Sequence, residues 1–224
     1  YASYDGLNTL FKTNDEVGNI YRSKDKTDRQ YDKGGKLIKT TNARYHYDAQ
    51  GNVIAKNYTD GQQWKYEWQA NGMLAKVIRP DKKQVQFTYD ALGRRLSKTF
   101  DGTITRWVYD RNTPLHEWSY NVQDKPQAIV DDTGQLHWDK PEPTENIITW
   151  VFEEDSFKPA AKLINNKRYS IICDYLGTPV EMYDELGSKV WECELDIYGR
   201  VKQQKGEINA CPFRYQGQYE DVET

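Results

Sequence analysis

Three histidines (His46, His116, His137), three cysteines (Cys173, Cys193, Cys211) and the run Glu153-Glu154-Asp155 are the side chains that stand out as candidates for proton transfer, nucleophilic attack or metal ligation. Their spacing forms none of the arrangements those reactions need. The histidines are isolated, no HExxH or GxSxG pattern exists, and Gly34-Gly35-Lys36 lacks both the upstream glycine and the following Ser or Thr of a phosphate-binding loop. The cysteines lie 20 and 18 residues apart, which matches no zinc spacing and leaves nothing to select a disulfide pair. Cys173 and Cys193 sit on segments of alternating apolar character, so they read as buried free thiols. Adjacent acids on a strand point to opposite faces, so the acidic run reads as a loop after the strand marked by Ile148, Trp150 and Phe152. Each histidine reads as a strand-face residue. The expectation is a chain with no catalytic residue, no cofactor and no metal.

The elements that carry these residues are set by a repeat. An aromatic residue, Asp, two spacers and Gly recur at Tyr31-Asp32 with Gly35, Tyr47-Asp48 with Gly51, Trp68 with Gly72, Tyr89-Asp90 with Gly93 and Tyr183-Asp184 with Gly187. A degenerate copy stands at Tyr109-Asp110, looser ones at Cys173 and Leu195, and a weak early one at Asn14. From Tyr31 to Tyr109 the steps are 16, 21, 21 and 20 residues. Such fixed-period self-similarity is the mark of a stacked architecture. Asp opens a turn by bonding nearby backbone with its side chain, and Gly supplies the positive φ of a tight reversal. Between the turns the residues alternate: Val85, Phe87 and Tyr89 oppose Gln84, Gln86 and Thr88, and Trp64, Tyr66 and Trp68 oppose Gln63, Lys65 and Glu67. That period of two is β structure. Second turn signals at Asp60-Gly61, Pro80-Asp81 and Asp101-Gly102 complete a meander of hairpins.

Composition narrows the class. The 224 residues carry 7 Trp, 17 Tyr and 6 Phe, with 37% hydrophobic and 29% charged residues and a mean hydropathy of −0.95. Disordered chains are poor in aromatics, so this one folds. Few aliphatics and many amphipathic rings imply a sheet with polar surroundings on both faces, stabilised by cross-strand aromatic pairs. A net charge of −3, with no basic stripe beyond Lys82-Lys83 and Arg94-Arg95, speaks against a nucleic-acid partner. No apolar run approaches a membrane span. The absence of Met at position 1 and the end at Thr224 read as a piece of a longer protein.

The YD repeat, together with the segments Thr149 to Leu163, Tyr175 to Glu192 and Phe213 to Thr224, resembles the distal core of bacterial Rhs (rearrangement hot spot) proteins, relatives of the C component of insecticidal toxin complexes and of teneurins. The resemblance implies an all-β fold, an antiparallel meander of YD hairpins forming part of a large spiralling hollow shell. It implies partners too: the remainder of the same shell, an encapsulated C-terminal toxin domain, and a secretion-system spike or adaptor, type VI among the routes. It further implies a delivered effector assembled in the bacterial cytoplasm for use against a competing or target cell. Self-cleavage in the family belongs to aspartates beyond the position of Thr224, so no catalytic residue carries over. The alternative is a cell-surface repeat module that binds carbohydrate or a partner protein. The expected organisation is a repeat meander over 1–120, an irregular link over 121–146 broken by Pro126, Pro141 and Pro143, and a distal core segment over 147–224. If Gly93 holds a positive φ, Gly93→Val should cost about 1–2 kcal/mol through left-handed strain, a loss that thermal melts of the parent protein would register.

Overall fold

A computed structural model describes residues 2–5 and 8–224. They form two compact units, Tyr1–Gln84 with Asp196–Arg200, and Val85–Leu195 with Val201–Thr224. In the first unit β1 (Ala2–Asp5) pairs with β2 (Asn8–Phe11), and β3 (Thr13–Asn14) with β4 (Ile20–Tyr21). Then β5 (Arg29–Asp32), β6 (Lys36–Thr40), β7 (Ala43–Tyr47), β8 (Val53–Tyr58), β9 (Gln63–Trp68) and β10 (Leu74–Ile78) form an antiparallel meander in which every strand pairs with its sequence neighbour. The second unit repeats the plan with β11 (Gln84–Tyr89), β12 (Arg95–Phe100), β13 (Thr103–Asp110) and β14 (Thr113–Asn121). The chain then leaves the sheet, and β15 (Ala128–Val130) with β16 (Leu136–Trp138) makes a separate hairpin. It returns as β17 (Ile148–Phe152), antiparallel to β14, and β18 (Pro159–Ile164), β19 (Lys167–Cys173), β20 (Pro179–Tyr183), β21 (Lys189–Leu195) and β22 (Val201–Gly206) continue the meander. The all-β antiparallel meander expected from the repeat is the observed fold.

One turn geometry recurs. The Asp90 N–H donates to the Arg94 carbonyl at 2.9 Å, the Gly93 N–H donates to the Asp90 carbonyl at 3.0 Å, and the Asp90 carboxylate accepts the N–H groups of Leu92 and Arg94, both at 2.9 Å. The carboxylate thus takes two turn donors that neither strand can pair. The same pattern stands at Asp15, Asp174, Asp184 and Asp196, and at Asp131, in a copy that the repeat pattern did not single out. Asp48 shares the backbone bonds and takes the Asn52 N–H at 2.8 Å. Gly51, Gly72, Gly93 and Gly187 hold φ of 92°, 81°, 80° and 78°.

The departures follow their letters. After Trp68 the Asp is Gln69, and Asn71 takes over by accepting the Met73 N–H at 3.1 Å. After Tyr31 the turn is a short 3-10 segment in which Asp32 makes no side-chain cap and Gly34 and Gly35 both have φ of 74°. Tyr109-Asp110 lacks the glycine, and Arg111 takes the positive φ, 51°. The strand register also shifts as the chain enters these turns, between His46 and Tyr47, Thr88 and Tyr89, Val108 and Tyr109, and Met182 and Tyr183. Each shift is a bulge at the repeat's aromatic position, which bends and twists the strand locally.

Side-chain hydrogen bonds hold turn carboxyl groups below the ordinary value of 3.8, from Asn52 first at Asp48 and from Thr133 first at Asp131. A carboxyl that titrates lower in the folded chain stabilises fully above its unfolded value, and that contribution is lost as pH falls through the folded value. The melting temperature should therefore fall as pH drops below about 4, and Asp48→Asn should make that fall shallower. Melting curves across this range check both.

Candidate functional site, a strap clamped on one face of the sheet

Residues directly opposite in an antiparallel ladder share a face. One face of the second unit carries the opposed pairs Phe87–Lys98, Trp107–Glu117 and Trp150–Lys162 and the opposed series Ile171, Met182 and Trp191. The chain after β22 crosses it as a strap over residues 207–224. Ala210, Cys211 and Phe213 of the strap join Trp150, Ile171, Met182, Trp191 and Cys193 in one buried apolar cluster. The expectation of polar surroundings on both faces is corrected here. The dry core exists, but strap and sheet share it, so neither segment shows a full apolar face in sequence.

Within the strap a tight hairpin forms: Phe213 bridges Tyr219, the Arg214 N–H donates to the Gln218 carbonyl at 3.1 Å and the Glu220 N–H to the Pro212 carbonyl at 2.9 Å. The Phe213 ring meets Trp150 edge-on at 4.8 Å, Phe152 at 5.2 Å and Tyr219 at 5.8 Å, and Tyr219 meets Trp107 at 5.5 Å. Edge-to-face pairs at these distances add to simple burial. Arg214 donates to the carbonyls of Cys211 and Phe213 at 3.0 and 2.9 Å and pairs with Glu220. At the other end Gln216 donates to the Leu176 carbonyl at 2.8 Å. Gly177 holds a φ of 80°, which favours glycine, and a Cβ there would push the Gln216 side chain off this contact.

Ionic contacts fix the strap's end. Asp221 pairs with Arg95 and, at 3.1 Å, with Lys98, while Glu223 reaches Lys98 at 2.8 Å. The Lys98 side chain is 10% exposed, so water screens these pairs little. Burial works against the Arg95 charge, but Asp221 beside it prevails and the guanidinium titrates above its usual range. Arg95 also lies over the rings of Trp107 at 4.6 Å, Tyr219 at 5.2 Å and Phe87 at 5.4 Å. In the centre Glu117 accepts the Trp150 indole N–H at 3.1 Å and the Tyr219 hydroxyl at 2.8 Å, and burial, then Glu117, pushes the Tyr219 phenol well above its ordinary range. Lys162 donates to the Ala210 carbonyl at 2.9 Å, and burial lowers its pKa.

The residues singled out for chemistry are not brought together. His46 on β7 contacts Asn57 at 3.0 Å, His116 on β14 contacts Thr149 at 3.0 Å, and His137 on β16 lies 3.9 Å from Asp131. Glu153 pairs with Lys158 at 2.7 Å and Asp155 with Arg111 at 3.1 Å, in the loop that follows β17. The three thiols are free, and burial raises Cys173 to about 11 and Cys211 to about 12. Among the described residues no group of three or more His, Cys, Asp or Glu could hold a metal, and no helix is long and apolar enough to cross a membrane. The strap partners Glu117, Lys98 and Arg95 were missed. Charges on alternating strands look solvated until the segment that covers them is placed.

A family model described as Teneurin YD-shell matches residues 10–224. The chain belongs to this family of YD-repeat shells, as its likeness to the Rhs core implied, and is a shell segment. It is 26% identical over 235 residues to Double-stranded DNA deaminase toxin A of Burkholderia cenocepacia (strain H111), covering 94% of this chain and 16% of that protein. It is 25% identical over 216 residues to Toxin protein Tse5 of Pseudomonas aeruginosa, covering 85% and 16%. Among solved structures it is similar to the TcdB2-TccC3 crystal structure, with a TM-score of 0.37 at 11% identity, over 96% of this chain and 18% of that one.

Strap attachment gives a graded expectation. Asp221→Asn should destabilise by about 3 kcal/mol, because it takes the counter-charge from the largely buried Arg95 and leaves Lys98 with Glu223 alone. Phe213→Ala should cost about 3–5 kcal/mol. Glu185→Gln, which loosens only the exposed 3.9 Å contact with Arg168, should stay within about 0.5 kcal/mol. Denaturant unfolding of the parent protein, read beside protease cutting within 207–224, distinguishes the three.

Proposed function

We propose that this chain is a wall segment of a toxin's shell, and that the complete shell encloses a C-terminal toxic domain and carries it to a competing or target cell. The observation that carries this reading is the shell-family match over residues 10–224, in relatives named as toxins of which the chain covers only 16%. On this reading the chemistry belongs to another part of the parent protein, and these residues supply the wall. The repeat turns space the strands, and the strap seals one sheet face. The division into a repeat meander (1–120), a link (121–146) and a distal core (147–224) belongs to the same proposal, with the strap as the distal core's distinguishing element. Delivery through a secretion-system spike or adaptor is its outermost part.

Image reconstruction of the intact parent, combined with limited proteolysis, tests the proposal. The expected result is a hollow wall holding a domain that resists protease until the wall is denatured. A solid particle, or a toxic domain lying outside the wall and cut at once, overturns enclosure and favours the surface-binding module.

A further inference from the structure

The turns after β11, β13, β17 and β19 fall on one margin of the second unit, because strand direction alternates along the hydrogen-bonded order β19-β18-β17-β14-β13-β12-β11. Contacts tie neighbouring turns together. Arg94 donates to the Arg111 carbonyl at 2.6 Å, and Arg111 pairs with Asp155 at 3.1 Å. Strands are spaced by about 4.8 Å, so the margin is about 30 Å long. It is apolar where turns are ordinarily polar: Leu92 is 77% exposed, Tyr175 94% and Phe157 42%. A single exposed apolar residue is unremarkable on a surface, but turn positions normally go to Gly, Asn, Asp or Ser. Here the second residue after the turn Asp is aliphatic at Leu92 and Leu176, and again at Val17 and Leu186 in copies elsewhere. Its N–H bonds the Asp carboxylate each time, and its side chain is left in water.

The margin is also acidic. Residues 90–94, 110–113, 153–158 and 174–178 carry six carboxylates against three cations, and Glu154 is exposed with no partner among the described residues. Between the turns after β13 and β17 lies a hollow of about 510 Å³, lined by Asp110, Asn112, Leu115, Val151, Glu154 and Phe157. Its lining thus combines apolar carbon with acidic side chains. Elsewhere in the chain that combination is filled by a guanidinium. Arg95 lies over Trp107 beside Asp221, and Arg200 lies over Tyr198 while pairing with Asp196 at 2.6 Å. One turn tip is covered in this way by a distant part of the same wall. Tyr198 is the second residue after Asp196, the position that Leu92 and Leu176 hold in their turns. The Arg22 guanidinium, 176 residues away in sequence, lies 4.2 Å from the centre of its ring, with both residues in the first compact unit.

We propose that the margin carrying Leu92 and Tyr175 docks an adjoining stretch of the parent's own shell, which places an arginine or lysine in the hollow, its stem on Val151 and Phe157 and its charged head at Glu154. The charge balance selects a basic segment, because an acidic one would be repelled. The contact of Arg22 with Tyr198 favours wall as the occupant, since there one wall hairpin already meets another through a turn tip and an arginine. The relatives, of which this chain spans 16%, have further chain to supply such a stretch. The proposal rests on the wall reading above and not on enclosure.

Photo-cross-linking in the intact parent protein tests it. Tyr175→benzoylphenylalanine and Leu92→benzoylphenylalanine set a ketone at two exposed tips. On irradiation the ketone takes a hydrogen atom from a neighbouring C–H, and the two carbon radicals combine, so the joined peptide keeps the full mass of both parts. Peptide mapping should join both tips to shell residues of the parent outside 1–224, in a stretch that contains Arg or Lys. Glu154→Lys should lower that yield roughly ten-fold through like-charge repulsion, and changing the mapped basic residue to Glu should restore it in the Glu154→Lys background. Tyr198→benzoylphenylalanine, which should join residues beside Arg22, reports in each variant that the wall is folded. Tips joined only to the toxic domain, to a second copy of the parent or to no peptide overturn the proposal, as does a yield that Glu154→Lys leaves unchanged. Joined wall around a toxic domain that protease digests at once removes enclosure and keeps the docking, whereas a protected domain with both tips unjoined does the reverse.

Discussion

Everything in the second unit depends on one pairing of surfaces, a sheet face that cannot stay in water and a strap that cannot fold without it. The strap over 207–224 has only a single β-bridge and a few turn bonds of its own. The sheet face offers Trp150, Trp191, Ile171 and Met182, which would be exposed if the strap left. Each supplies what the other lacks, and the ionic pairs of Asp221 and Glu223 set where the strap ends. A buried ion pair is weak evidence of net stability, because desolvation offsets much of the attraction. Its stronger effect is on register. Arg95, Lys98 and Glu117 accept this strap in one position, since any sliding leaves a buried charge without a partner.

The rest of the architecture is local and repetitive. An Asp carboxylate that collects turn N–H groups, followed by a glycine at positive φ, returns the chain every time it appears, from Asp15 to Asp196. Between turns, cations lie against rings in place of an aliphatic layer: Lys56 against Tyr58 at 4.6 Å, Arg79 against Trp64 at 5.5 Å, Arg94 against Tyr109 at 5.6 Å. Such pairs cover apolar ring faces with side chains whose heads stay wet. This reconciles a mean hydropathy of −0.95 with a folded sheet, and it suits a wall that meets polar surroundings over much of its area.

The excursion between β14 and β17 applies the same physics on the opposite face. Glu142 pairs with Arg106 at 2.7 Å and accepts the Tyr120 hydroxyl at 2.6 Å. Burial first, and then Glu142, raises the Tyr120 phenol to about 12. Chain that leaves the sheet is thus tied back to it by a carboxylate on a cation and a phenol. Glu117 and Asp221 do the same for the strap.

The strands, the turns and the family were legible in the residues, because their causes are local. Alternation in Gln84 to Tyr89 is a property of six consecutive residues, and an Asp with a Gly three positions on encodes a turn wherever it lies. Even the missed copy at Asp131 carries its own signal, and it escaped only because Val130 stands where the aromatic is expected. The bulges at Tyr47, Tyr89, Tyr109 and Tyr183 left no such mark, since register is a relation between two strands. The strap site was invisible for the same reason at longer range. Lys98 lies 123 residues from Asp221 and Glu117 lies 102 from Tyr219, and in sequence each is an ordinary charge on an alternating strand. Which of these charges is buried, and against what, is settled only when the chain after β22 turns back across the sheet, because burial is a property of the covering segment as much as of the residue covered.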